Sequence, residues 1–453
     1  MWVRRKSLLW LNDLSPFQLI ALYYLLAVTI SSILISLPVA HNEGVTISFI
    51  DILFTAVSAV SVTGLTTVPI ADTFSTTGYF IIALVLQFGG IGVMTLGTLV
   101  WLMLGKKIGM KERRLIMTDQ NQTSFQGMVR LVKQIVLVVL IIELIGFLIL
   151  GTYYLQYYDA GEAYLQGFFG TISAMTNGGF DITGQSLVPY KDDYFVQFIH
   201  MILIISGAIG FPVLIEVKQY LLHNTDEQSI SFSLFAKLTT FTFLALVVFG
   251  TIMIFLLEFK NFFVDKSWHE ILFYSLFQSV TTRSGGLATL DINQFTEQTQ
   301  LFMSSLMFIG ASPSSVGGGI RTTTFALVVI FVLTFARGGD NIRIFRREIH
   351  PEDLNKAVVV TIVALFVCFT AVLVLSITEP FSLNELIFEV TSAFGTVGLS
   401  LGITPGLSWF GKCILMLLMF LGRIGLLTFL FSFKKEDKPK GKYHYPKERV
   451  IIG

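Results

Sequence analysis

Four stretches of this chain carry small and hydroxyl-bearing residues up to a glycine: S-A-V-S-V-T-G-L at 58–65, S-A-M-T-N-G-G-F at 173–180, T-T-R-S-G-G-L at 281–287 and S-A-F-G-T-V-G-L at 392–399. The third lacks the Ser-Ala pair and is the weakest copy. The glycines at 64, 179, 286 and 398 are 115, 107 and 112 residues apart, which is an internal repeat. These residues carry no catalytic side chain, so the chemistry they offer is that of the backbone. A bare alkali cation such as potassium crosses hydrocarbon only if oxygens replace its hydration shell, and rings of backbone carbonyls do so. Turning successive carbonyls the same way needs conformations that glycine adopts without penalty. The candidate lining is Val62, Thr63 and Gly64; Asn177, Gly178 and Gly179; Ser284, Gly285 and Gly286; and Thr396, Val397 and Gly398.

The surrounding segments suit that task. Hydrophobic residues make up 53% of the 453 residues and charged ones 13%, about half the charged share of a soluble protein. Eight apolar segments are long enough to span a bilayer: about 17–38, 78–104, 134–157, 195–217, 237–258, 299–336 (interrupted), 357–378 and 408–432. The first follows Arg4, Arg5 and Lys6 like a signal peptide, but its length favours a retained helix. Between members of each pair lies a piece too short to span: 51–63, 163–177, 270–282 and 384–395. Each opens near an acid (Asp51, Glu162, Glu270, Glu385) that complements a helix N-terminus. The predicted fold is an all-α integral membrane protein of eight transmembrane helices, with helix, re-entrant helix and helix repeated four times around a central pore.

Charge orients it. The stretches 1–16, 105–133, 218–237, 337–356 and 433–453 hold 24 of the 31 lysines and arginines, so they are expected in the cytoplasm of a cell with this protein in its plasma membrane. The expected division is an N-terminus 1–16, repeat 1 at 17–104, a linker 105–133, repeat 2 at 134–217, a linker 218–236, repeat 3 at 237–336, a linker 337–356, repeat 4 at 357–432 and a tail 433–453. Both termini are then cytoplasmic. K-K-I-G-M-K-E-R-R at 106–114 serves as a topology signal or as a docking surface for a cytosolic partner.

The second helix of each pair has its own echo, F-G-G-I-G (88–92), S-G-A-I-G (206–210), I-G-A-S-P (309–313) and L-G-R-I-G (421–425). Small residues allow close helix packing in membranes. That account fails in the third copy, where Gly310, Ala311, Ser312, Pro313, Ser314, Ser315, Val316, Gly317, Gly318 and Gly319 cannot hold a straight helix. Within a bilayer such a segment must line a cavity. Arg321 stands near the lysine position of a phosphate loop, but the motif is not satisfied. In the fourth copy Arg423 puts a charge in a membrane helix, at a cost of at least ~2.5–3.5 kcal/mol. A structural salt bridge to Glu143 or Glu389 is one role for it.

The four-fold plan, one glycine per loop, the A-S-P-S-S-V-G-G-G insertion and the lone arginine together resemble the Trk/Ktr/HKT superfamily of potassium transporters, and most of all the membrane subunit of bacterial Ktr systems. The resemblance runs from about residue 15 to the C-terminus. It implies passive K⁺ conduction through the filter residues, with 310–323 as an intramembrane gate loop and Arg423 on the cavity wall beneath the filter. It implies a homodimer with one pore per protomer, regulation by a cytosolic nucleotide-binding ring of regulator-of-conductance subunits, and flux promoted by Na⁺. The terminal I-I-G is similar to an apolar end that packs at the family's dimer interface. Gly178 and Gly285 depart from the pattern, in which alanine is expected.

Arg283 is expected behind the filter, donating to its backbone. Asp181, Asp291 and Glu297 are either cation-gathering acids at the outer mouth or ordinary surface acids. The tail is a lipid tether or a partner-binding strap. Cys368 and Cys413 lie in apolar segments and form no disulfide framework, and the six histidines show no metal-ligand spacing. Nothing points to nucleic acid or to a covalent cofactor. The alternatives are a sodium-permeable transporter of the same superfamily and an intramembrane enzyme. The latter lacks a catalytic constellation.

Overall fold

The computed structural model describes residues 14–103, 108–119, 127–221, 232–339, 341–432, 446 and 448. Most of the expected N-terminal segment and tail, with the terminal I-I-G, and parts of the linkers 105–133 and 218–236 lie outside the described residues.

Each of four units contains a long lead helix, a short helix and a broken return segment. The lead helices are Pro16–Ile35, Met128–Tyr154, Leu234–Glu258 and Pro351–Thr378. All four are long and apolar enough to cross a bilayer. The short helices are Phe49–Ser61, Ala160–Met175, Trp268–Thr281 and Leu383–Gly395. They begin one to three residues before the expected positions, because Ser48, Asp159, Ser267 and Ser382 stand at their N-caps. Ser267 with Glu270 and Ser382 with Glu385 form capping boxes. The expected acids Asp51, Glu162, Glu270 and Glu385 all sit in first turns.

The return segments correct one expectation. Only the third was expected to be interrupted, yet all four break. They run Thr76–Ile91 then Val93–Met103, Tyr194–Ala208 then Phe211–Leu221, Glu297–Phe308 then Thr322–Ala336, and Trp409–Ile424 then Leu426–Ser432. The second and fourth bend by 107° and 96°. Gly92, Gly210 and Gly425, the last glycines of the echoed motif, sit at the breaks with φ of 99°, 103° and 88°. The repeated small residues therefore mark helix ends as well as close packing.

Packing closes the units into a ring. Thr76–Ile91 packs on Ala160–Met175, Tyr194–Ala208 on Trp268–Thr281, Glu297–Phe308 on Leu383–Gly395, and Trp409–Ile424 back on Phe49–Ser61. Each return helix thus supports the short helix of the next unit. At the seam between last and first units, Lys412 Nζ meets Asp51 Oδ1 at 2.8 Å, both side chains largely buried. Two small elements stand outside the repeat. The helix Met110–Asp119 sets Leu115 against Leu19 and Ile20, and Arg343–Ile344 pairs with Arg347–Glu348 in a two-stranded hairpin.

Breaking one half of a buried ion pair strands the other charge. Lys412→Met is expected to lower stability by about 3 kcal/mol, measured by unfolding of the detergent-solubilised protein. Exchanging both charges (Asp51→Lys with Lys412→Asp) should recover much of the loss, whereas a swap no more stable than the single variant would show that the pair does not hold the seam.

Candidate functional site

The glycine-bearing strands follow the C-termini of the short helices, and each leaves its helix in the same way. One residue turns left-handed: Val62 at φ 57°, Asn177 at 53°, Ser284 at 81° and Thr396 at 49°. Two residues on comes a glycine, also at positive φ: Gly64 at 92°, Gly179 at 66°, Gly286 at 71° and Gly398 at 97°. The amide between them bonds back to the helix, from Thr63 to the Ser58 carbonyl (2.8 Å), Gly178 to Ser173 (2.6 Å), Gly285 to Thr281 (2.7 Å) and Val397 to Ser392 (2.9 Å).

The serine of the Ser-Ala pair completes the turn. Ser58 Oγ accepts from the Gly64 amide and Ser392 Oγ from the Gly398 amide, both at 3.1 Å. In the second copy Ser173 Oγ donates to the Phe180 carbonyl at 2.6 Å. The third copy has Val280 in the serine's place, and Thr281 takes over by donating to the Leu287 carbonyl at 2.5 Å. The weakest sequence match is thus a one-residue relocation of the same hydroxyl.

The four strands meet. A Cβ placed on Gly64 would lie 2.9 Å from the Gly179 Cα, one on Gly179 3.0 Å from the Gly286 Cα, and one on Gly398 3.0 Å from the Gly64 Cα. One on Gly286 would strike the Val397 carbonyl of the last strand. The contacts run around in chain order and close on themselves. All twelve expected lining residues flank this ring. Gly178 and Gly285, where alanine was expected, have a local reason. A methyl on Gly178 would stand 2.7 Å from a Leu86 δ-carbon, and one on Gly285 3.0 Å from Ile204 Cγ2. Return-helix side chains occupy the space an alanine would fill.

The interrupted segment lies against one side of this ring, largely buried, and is stitched to several units. Residues 310–321 are non-helical. The Gly318 amide donates to Thr396 Oγ1 at 2.7 Å, while Ser284 Oγ donates to the Thr396 carbonyl at 2.7 Å. The Ser312 and Val316 amides donate to the Ala208 and Gly207 carbonyls at 3.0 and 3.1 Å, and Phe211 N–H donates to Ser314 at 2.8 Å. The Ala208 carbonyl, and that of Gly207 beside it, lie just before the break at Gly210 and lack helical partners downstream. Arg321 donates to the Gly317 carbonyl, and Thr322 Oγ1 donates to Ser312 Oγ at 3.1 Å.

Arg423 binds the same region. Its guanidinium donates to the carbonyls of Val316 and Gly89, and to Gly90 at 3.1 Å. It therefore joins the interrupted loop to the end of the first return helix. Glu389, offered by the sequence as a partner, instead accepts from Ser400 and from Thr404, the latter at 3.1 Å. Glu143 lies in a groove between Thr76–Ile91 and Met128–Tyr154.

Arg283 is fully buried behind its strand, as expected, but its described bond runs to the Leu306 carbonyl of the third return helix and not to the filter backbone. The acids 181, 291 and 297 build turns. Asp181 accepts from Thr183 Oγ1 and the Ser186 amide, Asp291 caps a short helical turn at Asn293, and Glu297 opens a return helix. Two carboxylates escaped the sequence reading. Glu258 and Glu379, at the ends of lead helices, accept from the N-cap residues Thr296 and Ser408 of the following return helices. The signal was an acid at the end of a span with a Ser or Thr N-cap beyond it.

Ser58→Ala and Ser392→Ala each leave a glycine amide without its acceptor, buried at Gly64 and partly buried at Gly398. Each should cost about 1–3 kcal/mol in unfolding of the solubilised protein, with Ser→Thr recovering part of the loss. No loss in either would show that the hydroxyls do not hold the turns.

Comparison with known proteins places this architecture. Residues 15–444 match the family of TrkH cation transport proteins. The chain is 63% identical over 444 residues to the Ktr system potassium uptake protein D of Bacillus subtilis, covering 98% of each. It is 38% identical to the Ktr system potassium uptake protein B of the same organism, covering 99% of each. It is 31% identical to the potassium/sodium uptake protein NtpJ of Enterococcus hirae, covering 97% of this chain and 98% of that one. The crystal structure of TrkH from Vibrio parahaemolyticus superposes with a TM-score of 0.72 at 18% identity, over 92% of this chain and 84% of that one, and shares the fold. The family is one of transporters, so the enzyme alternative falls away. Matched along nearly its whole length by the family model and by a relative 63% identical to it, the chain belongs to the TrkH family of cation transport proteins.

Proposed function

We propose that the chain is the ion-translocating subunit of a potassium uptake system in the plasma membrane, conducting K⁺ passively through the ring of residues 62–64, 177–179, 284–286 and 396–398. The observation that carries this reading is the closed circuit of glycine contacts, in which the Thr63, Gly178 and Val397 carbonyls stand against glycines of neighbouring strands. Carbonyls held this way substitute for the hydration shell of a cation. The relatives named as potassium uptake proteins, matched along nearly their whole length, support K⁺ as the transported ion.

The loop 310–321 is the gate. It is tied to the ring through Thr396 and to Arg423 through Val316, so moving it means exchanging a few hydrogen bonds. Arg423 adds a fixed positive charge beside the path, which raises the barrier to a cation. The name of the Enterococcus relative, a potassium/sodium uptake protein, supports a part for Na⁺ as activator or as a second permeant ion. The names of the Bacillus relatives speak of a system, which supports an accessory cytosolic subunit, here read as a nucleotide-binding ring acting on a homodimer. The basic stretches would face that subunit, with both termini cytoplasmic.

Flux of K⁺, Na⁺ and Rb⁺ into liposomes containing the purified protein tests this reading. Gly64→Ser or Gly398→Ser should lower K⁺ over Na⁺ preference by about tenfold, equivalent to ~1.4 kcal/mol, and unchanged preference would exclude the ring as filter. Arg423→Ala and deletion of 312–318 should each raise K⁺ flux and weaken its dependence on the cytosolic partner. Unaltered flux and regulation in both would remove the gate while leaving the filter standing.

A further inference from the structure

The ring has two equivalent outer grooves. One, of about 770 Å³, lies between the first return helix and the lead and short helices of the second unit. The other, of about 620 Å³, lies between the third return segment and the lead and short helices of the fourth. Both are walled by apolar side chains, and Phe80, Leu84, Leu140 and Leu144 on the rim of the first are more than half exposed, as lipid-facing residues are.

Their polar content differs. In the second groove the hydroxyls of Ser304, Ser305, Thr361 and Thr391 all donate to carbonyls of their own helices. The first groove contains Gln87, Glu143 and Thr171. Among the described residues, Gln87 Oε1, Glu143 Oε1 and Thr171 Oγ1 are all buried with no hydrogen-bond partner. Glu143 is only 7% exposed and Thr171 is fully buried. A buried carboxyl with one oxygen left unpartnered is costly in hydrocarbon, so its retention in a groove calls for a ligand or a function.

The Gln87 side chain donates to the Glu143 carboxyl, which leaves Glu143 Oε1 and Gln87 Oε1 as strong acceptors without a donor among the described residues. A hydroxyl would satisfy one; a primary ammonium carries three donors and a charge opposite to the carboxylate. We infer that this groove binds a single-chain alkylammonium. Its hydrocarbon lies along Phe80, Leu84, Leu140 and Phe147, and its ammonium sits among Glu143, Gln87 and Thr171. The site adjoins the ion path without belonging to it. Thr171 is on the short helix that holds the second glycine strand, and Gln87 is one turn from the Gly89 and Gly90 carbonyls bound by Arg423.

Equilibrium dialysis of labelled n-decylamine against the full-length protein in nanodiscs tests the assignment, with n-decanol and decyltrimethylammonium as competitors. Saturable binding of one molecule per chain is expected, about tenfold weaker in Glu143→Gln through loss of a charge-assisted bond and abolished in Leu140→Trp, which fills the groove. Decyltrimethylammonium, charged but without N–H donors, and decanol, with a single donor, should both compete poorly. Equal affinity in Glu143→Gln, equal competition by decyltrimethylammonium, or saturable binding that survives Leu140→Trp would each overturn the proposal.

Discussion

The structure depends on a steric condition at its centre. Four α-carbons from four distant parts of one chain approach so closely that a single methyl group on any of them would meet a neighbouring strand's backbone. The left-handed turns before each glycine, the helix-end bonds that hold them and the return helices behind them all bring those strands to that separation. The approach leaves no room for a side chain at any of the four positions. In the proposed reading the peptide oxygens of these strands take over from water around a cation.

Non-helical backbone at membrane depth creates a second demand, because every amide and carbonyl needs a partner inside the protein. The broken return helices answer it collectively. A helix that ends leaves carbonyls without intrahelical donors. Those of Gly207 and Ala208 receive loop amides from Val316 and Ser312, that of Phe308 receives Ile320, and those of Gly89 and Gly90 receive Arg423. The loop and the arginine are therefore not separate anomalies. They are the donors that the helix breaks require, gathered at one place beside the ring.

Much of the layout was legible in the sequence, for reasons that are local. Span length, the acids that open the short helices and the spacing of the glycines reflect bilayer thickness, the helix dipole and the left-handed turn. The Ser-Ala pair was visible as a motif, although its work of bonding the glycine amide was not. The breaks at Gly92, Gly210 and Gly425 were missed because small residues in a membrane helix read equally well as close packing. Only the third copy, with its proline and run of glycines, announced a break in its own composition.

Partnership lay beyond local reading. Arg423 and Glu143 both stood out as costly charges in apolar helices, and proximity in kind suggested pairing them. The fold puts the arginine on carbonyls 333 and 334 positions away in sequence and the glutamate in a groove of its own. Likewise the Asp51–Lys412 seam joins the first unit to the last. The sequence by itself determined what each segment must be, since segment identity follows from periodicity, length and the few conformations each residue tolerates. Which segments meet was decided only by the tertiary structure, because ring closure satisfies groups from all four units at once and no single unit contains that condition.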